Sequence, residues 1–336
     1  MLFSLKSNKM FFLFILFIST LISISANSWF GCWIGLEINL LSFIPLISNS
    51  KNLLSNEASL KYFLTQSIAS INFLFVILLK LTIFNFFSNN MMSLMMNLPL
   101  LMKMGSAPFH FWFPNIVEGM SWINNIILMT WQKISPMILM SYYFNKNLLI
   151  LILIMNSMIG AIGGLNQTSL RKILSFSSIN NLSWMFSSML ISENLWLFYF
   201  LLYTMLISIM CLLFNNLNMF FINQLYILNL NPMLKFSFLI NFLSLGGLPP
   251  FIGFFSKWII INFLMINNFM TISFIIIMMS LIMLFFYIRI SYSSLMFNYT
   301  KLKWFKIYFN NNNNNFFMLI TMISIMGMIF SSLFFL

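Results

Sequence analysis

LPLLMKMGSAPFHFWFPNIVEGMSWINNIILMTWQKISP, residues 98–136, is the stretch on which the reading of this chain turns. It sets Lys103 and Lys133 inside segments otherwise apolar enough to lie in lipid. Between them come the Gly105/Pro108 break, the chain's one histidine, His110, and the acid Glu118. An ammonium near a bilayer centre costs roughly 2.5–3.5 kcal/mol on insertion scales. A chain keeps such charges where the fold offsets that cost.

Outward from this stretch, the composition fixes the class. With 61% hydrophobic and 6% charged residues, the chain does not have the make-up of a soluble globular domain. A helix needs about 20 apolar residues to cross the hydrocarbon. Sliding windows give about eleven spans: 10–26, 29–48, 59–79, 91–112, 122–143, 147–166, 172–191, 195–214, 235–265, 271–295 and 316–335. The apolar runs are continuous rather than alternating, which excludes a barrel. The expected fold is all-α, a polytopic transmembrane helix bundle. The first segment superficially resembles a signal peptide, but no small-residue cleavage site follows it, so it is expected to remain as a helix. The Asn310 to Asn315 run reads as a loop insert.

Two spans are interrupted, one by Gly105 and Pro108, the other by Gly246, Gly247, Pro249 and Pro250. Proline removes a backbone donor and clashes with the preceding turn, so each should be a broken helix. Both breaks fall about a hundred residues into a run of five spans, the pattern of a repeated transporter unit. The expected organisation is a first five-helix repeat over 10–143, a second over 147–295, and a loop with a final helix over 296–336. Five crossings is an odd number, so the second repeat is expected to be inverted.

The net charge of +12 is spread singly over loops and spans, with no basic face for nucleic acid. Lys6, Lys9, Lys51, Lys61, Arg171, Lys172, Lys235, Lys301, Lys303 and Lys306 fall on one side of the predicted topology, Lys80 and Lys146 on the other. The positive-inside rule then puts the N-terminus inside and the C-terminus outside. Cys32 and Cys211 both lie in apolar spans and read as buried small residues rather than a disulfide.

Among the charges, Glu37 is too short to reach the interface from the middle of its span. Lys103, Lys133 and Lys257 are its natural cationic counterparts, and lysine, unlike arginine, can be made to release and retake a proton when taken out of water. Lys80 and Lys146 sit at span ends and read as interfacial anchors. Glu57 and Lys61, four apart, read as a helix-end salt bridge. His110 is open between a structural hydrogen bond and a proton relay. Glu118 and Glu193 lie near loops and read as solvated. One histidine and two separated cysteines do not provide for haem or iron–sulfur ligation, and neither nucleotide-binding glycine motif is present. No cofactor is therefore expected on this chain. What the residues supply is a series of protonatable groups.

The segments MKMGSAPFHFWFPNIVEGM, TWQKISP, LNQTSLRKILSFSSI, EASLKYFLTQ and FLSLGGLPPFIGFFSKW resemble the antiporter-like, proton-pumping subunits of NADH:ubiquinone oxidoreductase, respiratory complex I. Among these the chain is most similar to the shortened subunit 2 family of bilaterian animals. The likeness covers residues from about Phe30 to Tyr292. It implies two inverted five-helix repeats, a Glu37–Lys103 pair that switches in the proton cycle, Lys133 as central relay, and Lys257 leading toward the exit. It also implies a mitochondrial inner-membrane protein with its N-terminus in the matrix and its C-terminus in the intermembrane space. NADH, FMN, iron–sulfur clusters and ubiquinone would belong to the complex as a whole. Partners would be other membrane-arm subunits, including a neighbouring antiporter-like subunit and small hydrophobic subunits, and lipids such as cardiolipin. Asn115 departs from the family, where many relatives carry an acid after Trp-x-Pro. The rival readings are a stand-alone cation/proton antiporter of the same superfamily and a structural membrane-arm subunit without transport.

Overall fold

A computed structural model describes residues 7–49, 51–82, 88–227 and 232–296, together with 321, 324 and 325. The Asn310 to Asn315 run and all but three residues of the expected last span lie outside the described residues. Among those described, fourteen helices follow one another, with no strand beyond an isolated bridge between Ser169 and Phe221. Six are long and apolar enough to cross a membrane: α1 (Ser7–Ser25), α2 (Trp29–Ile47), α3 (Leu53–Thr82), α8 (Lys146–Gly164), α10 (Glu193–Leu217) and α14 (Met270–Met296), the last by its stretch Met270–Tyr292. The fold is an all-α, multi-pass membrane bundle. It divides into two compact units, Met1–Leu149 and Ile150–Leu336.

In the first unit, Ser28 caps α2 by accepting from the Gly31 amide at 3.2 Å, which satisfies one of the donors a helix start leaves over. Gly35 lies so close to α1 that a Cβ there would meet the Ser23 backbone nitrogen at 2.7 Å. Small residues permit this kind of close helix approach in lipid. Buried serines such as Ser19, Ser23 and Ser42 donate to the carbonyl three residues back, so their hydroxyls add no unsatisfied donor. Large apolar side chains on the outer faces, among them Phe14, Leu21, Leu60 and Ile71, are exposed, as suits a lipid-facing surface.

Both expected breaks are present. The fourth span, expected over 91–112, ends early as α4 (Asn89–Met104), and the chain re-enters helix as α5 (Trp112–Gly119). The ninth is divided into α12 (Pro232–Gly246) and α13 (Ile252–Ile266). The fifth span holds a division that its sequence does not announce. It runs as α6 (Trp122–Met129) and α7 (Trp131–Tyr142), parted at Thr130. There the threonine hydroxyl donates to Ile126 O at 2.6 Å and Lys133 N bonds three residues back to Thr130 O at 3.2 Å. This tightened turn interrupts the regular i→i−4 ladder. The stretch expected as a linker at 215–234 contains a short helix, α11 (Ile222–Ile227). In the second unit, α9 (Leu170–Ile191) is buried over most of its length despite six serines and two asparagines among its buried residues.

Candidate functional site

In the first unit, α2 carries Glu37, α4 carries Lys103 on its last turn, and α7 carries Lys133. α4 stops because Gly105 adopts a left-handed backbone, φ 68°, which glycine reaches without a Cβ penalty. Its amide bonds to Leu101 O and Met102 O, and the Ser106 amide and hydroxyl both bond to Leu101 O. Trp112 Nε1 donates across the break to Met102 O at 3.1 Å, and Gln66 Nε2 donates to Lys103 O at 3.2 Å. The carbonyls at the end of α4 are thus met by neutral donors.

The Lys103 side chain is left for other work. It is 8% exposed and lines a cavity of about 10 Å³ with Asn39, Tyr62, Gln66, Gln132 and Ser135, room for about one water. Glu37 lies near enough for its charge to act on Lys103. No direct ion pair joins the two among the described residues, and Glu37 Oε2 is buried without a hydrogen-bond partner. Lys133 is 1% exposed, with Nζ 5.6 Å above the Phe113 ring, where the face of the ring attracts a cation. Its neighbour Gln132 donates to Asn39 Oδ1 at 2.7 Å, tying α7 to α2 two residues beyond Glu37. The structure therefore places Lys103 at one small polar cavity, with the charge of Glu37 acting on it, and seats Lys133 on a helix that lines the cavity. His110 lies in the break, 8% exposed, with Nδ1 3.3 Å from Pro108 O.

Lys257 belongs to the second unit. It projects from α13, 7% exposed, and Nζ donates to Gly246 O at 2.9 Å and Leu245 O at 3.3 Å. Here the lysine itself caps the C-terminal end of a broken helix, where the dipole favours a cation. Gly247 makes room for the lysine, and Gly253 lets α13 lie close against the Ser244 backbone of α12. A Cβ on Gly247, whose φ is 87°, would meet Lys257 Nζ at 3.0 Å, and one on Gly253 would fall 1.7 Å from Ser244 O. The Trp184 ring lies 5.9 Å from Nζ.

Several other described charges are exposed. Glu57 and Lys61 form an exposed salt bridge. Lys80 donates to the Tyr143 hydroxyl beside the Trp29 ring, and Lys146 is exposed at the start of α8. Glu193 is exposed in the first turn of α10. Glu118 is half-buried at the end of α5 and engaged in an interaction, not the solvated group expected. Neutral residues that the sequence reading passed over, Asn39, Gln66 and Gln132, supply much of the polar lining around Lys103. Their signal was amide side chains within apolar spans.

Residues 26–283 match the model of the family described as NADH:quinone oxidoreductase/Mrp antiporter, transmembrane. The NADH-ubiquinone oxidoreductase chain 2 of Anopheles gambiae is 47% identical over 98% of both chains, and that of Aedes aegypti 49% identical over the same shares. Among solved structures, a chain of respiratory complex I from Thermus thermophilus superposes with TM-score 0.81 at 18% identity, over 96% of this chain and 78% of the other. A chain of the Mrp complex from Dietzia superposes with TM-score 0.73 at 14% identity, over 83% and 59%. These two likenesses are of fold, whereas the matches to the mosquito chains extend to sequence along nearly the whole length. The chain belongs to the NADH:quinone oxidoreductase/Mrp antiporter family of transmembrane proteins.

Proposed function

We propose that this chain is a proton-translocating core membrane subunit of NADH:ubiquinone oxidoreductase in the mitochondrial inner membrane. In this reading its N-terminus faces the matrix and its C-terminus the intermembrane space. Electron transfer from NADH through FMN and iron–sulfur clusters to ubiquinone takes place in other subunits. The chain's neighbours are further membrane-arm subunits, one of them antiporter-like, with lipids such as cardiolipin around them. Residues 10–143 and 147–295 act as two copies of one five-helix unit.

The observation that carries this reading is the Lys103 cavity, a buried amine at the end of a broken helix on which the charge of the half-buried Glu37 acts. Glu37 and Lys103 carry opposite charges, and a change in their separation would change the attraction between them. Lys133 then offers the next amine and Lys257 a further one, with His110 beside the first break as an additional relay group. Neutral cavity-lining groups and about one water would complete the hydrogen bonding. The test is the assembled complex carrying Glu37→Gln, reconstituted in vesicles. We expect quinone binding to persist and coupled turnover to fall by about tenfold or more. An unchanged rate and proton-to-electron ratio would remove Glu37 from the path. The rival, a stand-alone cation/proton antiporter, would be established by a detergent-solubilised protein that transports by itself rather than within a very large assembly.

A further inference from the structure

Lys133 stands in a weakened turn of its helix. On its N-terminal side α7 is parted from α6 at Thr130, and the Lys133 amide bonds three residues back, to Thr130 O at 3.2 Å. On its C-terminal side Pro136 has no amide to give to Gln132 O, the acceptor four residues before it. The turn is short of ladder bonds at both ends, so its setting depends on what it touches outside itself. α7 packs against α4, α6 and α1, and Trp131 meets the Phe17 ring edge-on with centroids 4.5 Å apart. Apolar contacts of this kind hold helices together but are non-directional. A hydrogen bond is directional, and Gln132 makes one out of the turn. Its Nε2 donates to Asn39 Oδ1 of α2 at 2.7 Å.

α2 is a firm reference for that bond. Ser28 caps it, and Gly35 brings it close against α1. Asn39 is 3% exposed and stands two residues beyond Glu37, while Gln132 immediately precedes Lys133. Both amides also line the Lys103 cavity. We infer that Asn39 and Gln132 are a positioning pair: their hydrogen bond sets the rotation of the first turn of α7, and with it the place of the Lys133 amine relative to Glu37 and the Lys103 cavity. The inference rests on the relay function proposed above for Lys133. Both side chains are neutral and neither takes nor gives the proton. Their effect comes through distance, because the attraction between charges falls with separation and a proton passes only across about 2.6–3.2 Å or through one water. Lys257 is set without such a pair. Its ammonium is tied to Gly246 O and Leu245 O, beside a cavity lined by Asn181, Tyr199, Tyr203 and Ser256.

The experiment uses the assembled complex with Gln132→Asn, the swap Asn39→Gln with Gln132→Asn, Lys133→Met, and Lys133→Met with Gln132→Asn. Gln132→Asn keeps the amide but shortens its reach by one methylene, so the bond to Asn39 is lost. The swap restores one long and one short amide, and the bond with them. Gln132→Asn should lower coupled turnover by about threefold to tenfold, with assembly intact. The swap should return it to within about twofold of the parent. In the Lys133→Met complex, Gln132→Asn should cost nothing more, because residues that act as a unit are not additive. A merely structural amide would lower the rate by the same factor in both backgrounds, and that result would overturn the inference. So would a swap no better than Gln132→Asn alone, or a Gln132→Asn complex that fails to assemble. If Lys133→Met loses turnover while Gln132→Asn keeps the parental rate, the lysine's role stands and the positioning pair is overturned. If Lys133→Met is fully active, the function proposed for Lys133 fails and this inference fails with it.

Discussion

At α4 the chain turns out of its helix through Gly105, φ 68°, and at α12 through Gly247, φ 87°. Each break has a buried lysine beside it, yet the helix ends are satisfied by different means. At the first, amides and hydroxyls of Gly105 and Ser106 and the side chains of Trp112 and Gln66 take the carbonyls, and Lys103 faces a cavity near Glu37. At the second, the ammonium of Lys257 is itself the cap, and the groups around its cavity are hydroxyls and an amide. A carboxylate on a side chain can change its position, so its attraction on Lys103 can change. Backbone dipoles are fixed, so Lys257 is held in one place whatever its surroundings do. One break is arranged for a change of partner and the other for a constant one.

The largest effect should separate the two lysines. Lys103→Met in the assembled complex should lower coupled turnover by about 10²-fold while leaving the subunit's thermal stability near the parental value, because neutral donors still cap α4. Lys257→Met should also cost turnover, and should in addition destabilise the subunit by about 1–3 kcal/mol, the usual penalty for stranded buried acceptors. Thermal denaturation of the two assembled variants side by side checks this. Equal loss of stability in both would erase the distinction between the breaks.

Next come the glycines. Gly247→Ala puts a Cβ against Lys257 Nζ, and Gly105→Ala puts one 2.9 Å from Phe113 Cβ, below the ring that Lys133 overlies. Each forces an L-residue into left-handed backbone at about 1–2 kcal/mol. Gly247→Ala should displace the Lys257 ammonium from Gly246 O, and Gly105→Ala should instead shift Phe113 and Lys133. A structure of either variant decides it, and an undisturbed lysine in both would show that the glycines do not set the lysine geometry.

The smallest effect is expected at Lys146→Met. That side chain is exposed at the start of α8, and its removal should change stability by no more than about 0.5 kcal/mol, with the parental rate of turnover. A large loss of activity there would extend the functional groups to the bilayer surface.

How far these differences could be read in the sequence depended on the kind of residue. Lys103, Lys133 and Lys257 stood out because a charge in an apolar window has few structural excuses. The breaks stood out because Gly105, Pro108, Gly247 and Pro249 impose their own geometry. The interruption at Thr130 gave no such warning, since threonine is compatible with a helix and its side-chain bond to Ile126 O is visible only in three dimensions. Asn39, Gln66, Gln132, Tyr199 and Tyr203 were passed over for a related reason. A neutral polar group in a span has an ordinary structural use, so its presence at a cavity had to be seen. Which lysine caps a helix end and which faces a carboxylate was likewise a matter of packing.

Lys133 offers the most direct test of the central claim, that buried amines on this chain carry protons. It is 1% exposed and lies three residues beyond the Thr130 interruption. Lys133→Met keeps the length and apolar bulk of the side chain and removes the amine. The decisive measurement is the proton-to-electron ratio, with the rate, of the assembled complex carrying this change in sealed vesicles. The account predicts normal assembly and quinone binding with coupled turnover down by about tenfold or more. A fully assembled variant with the parental ratio and rate would contradict it.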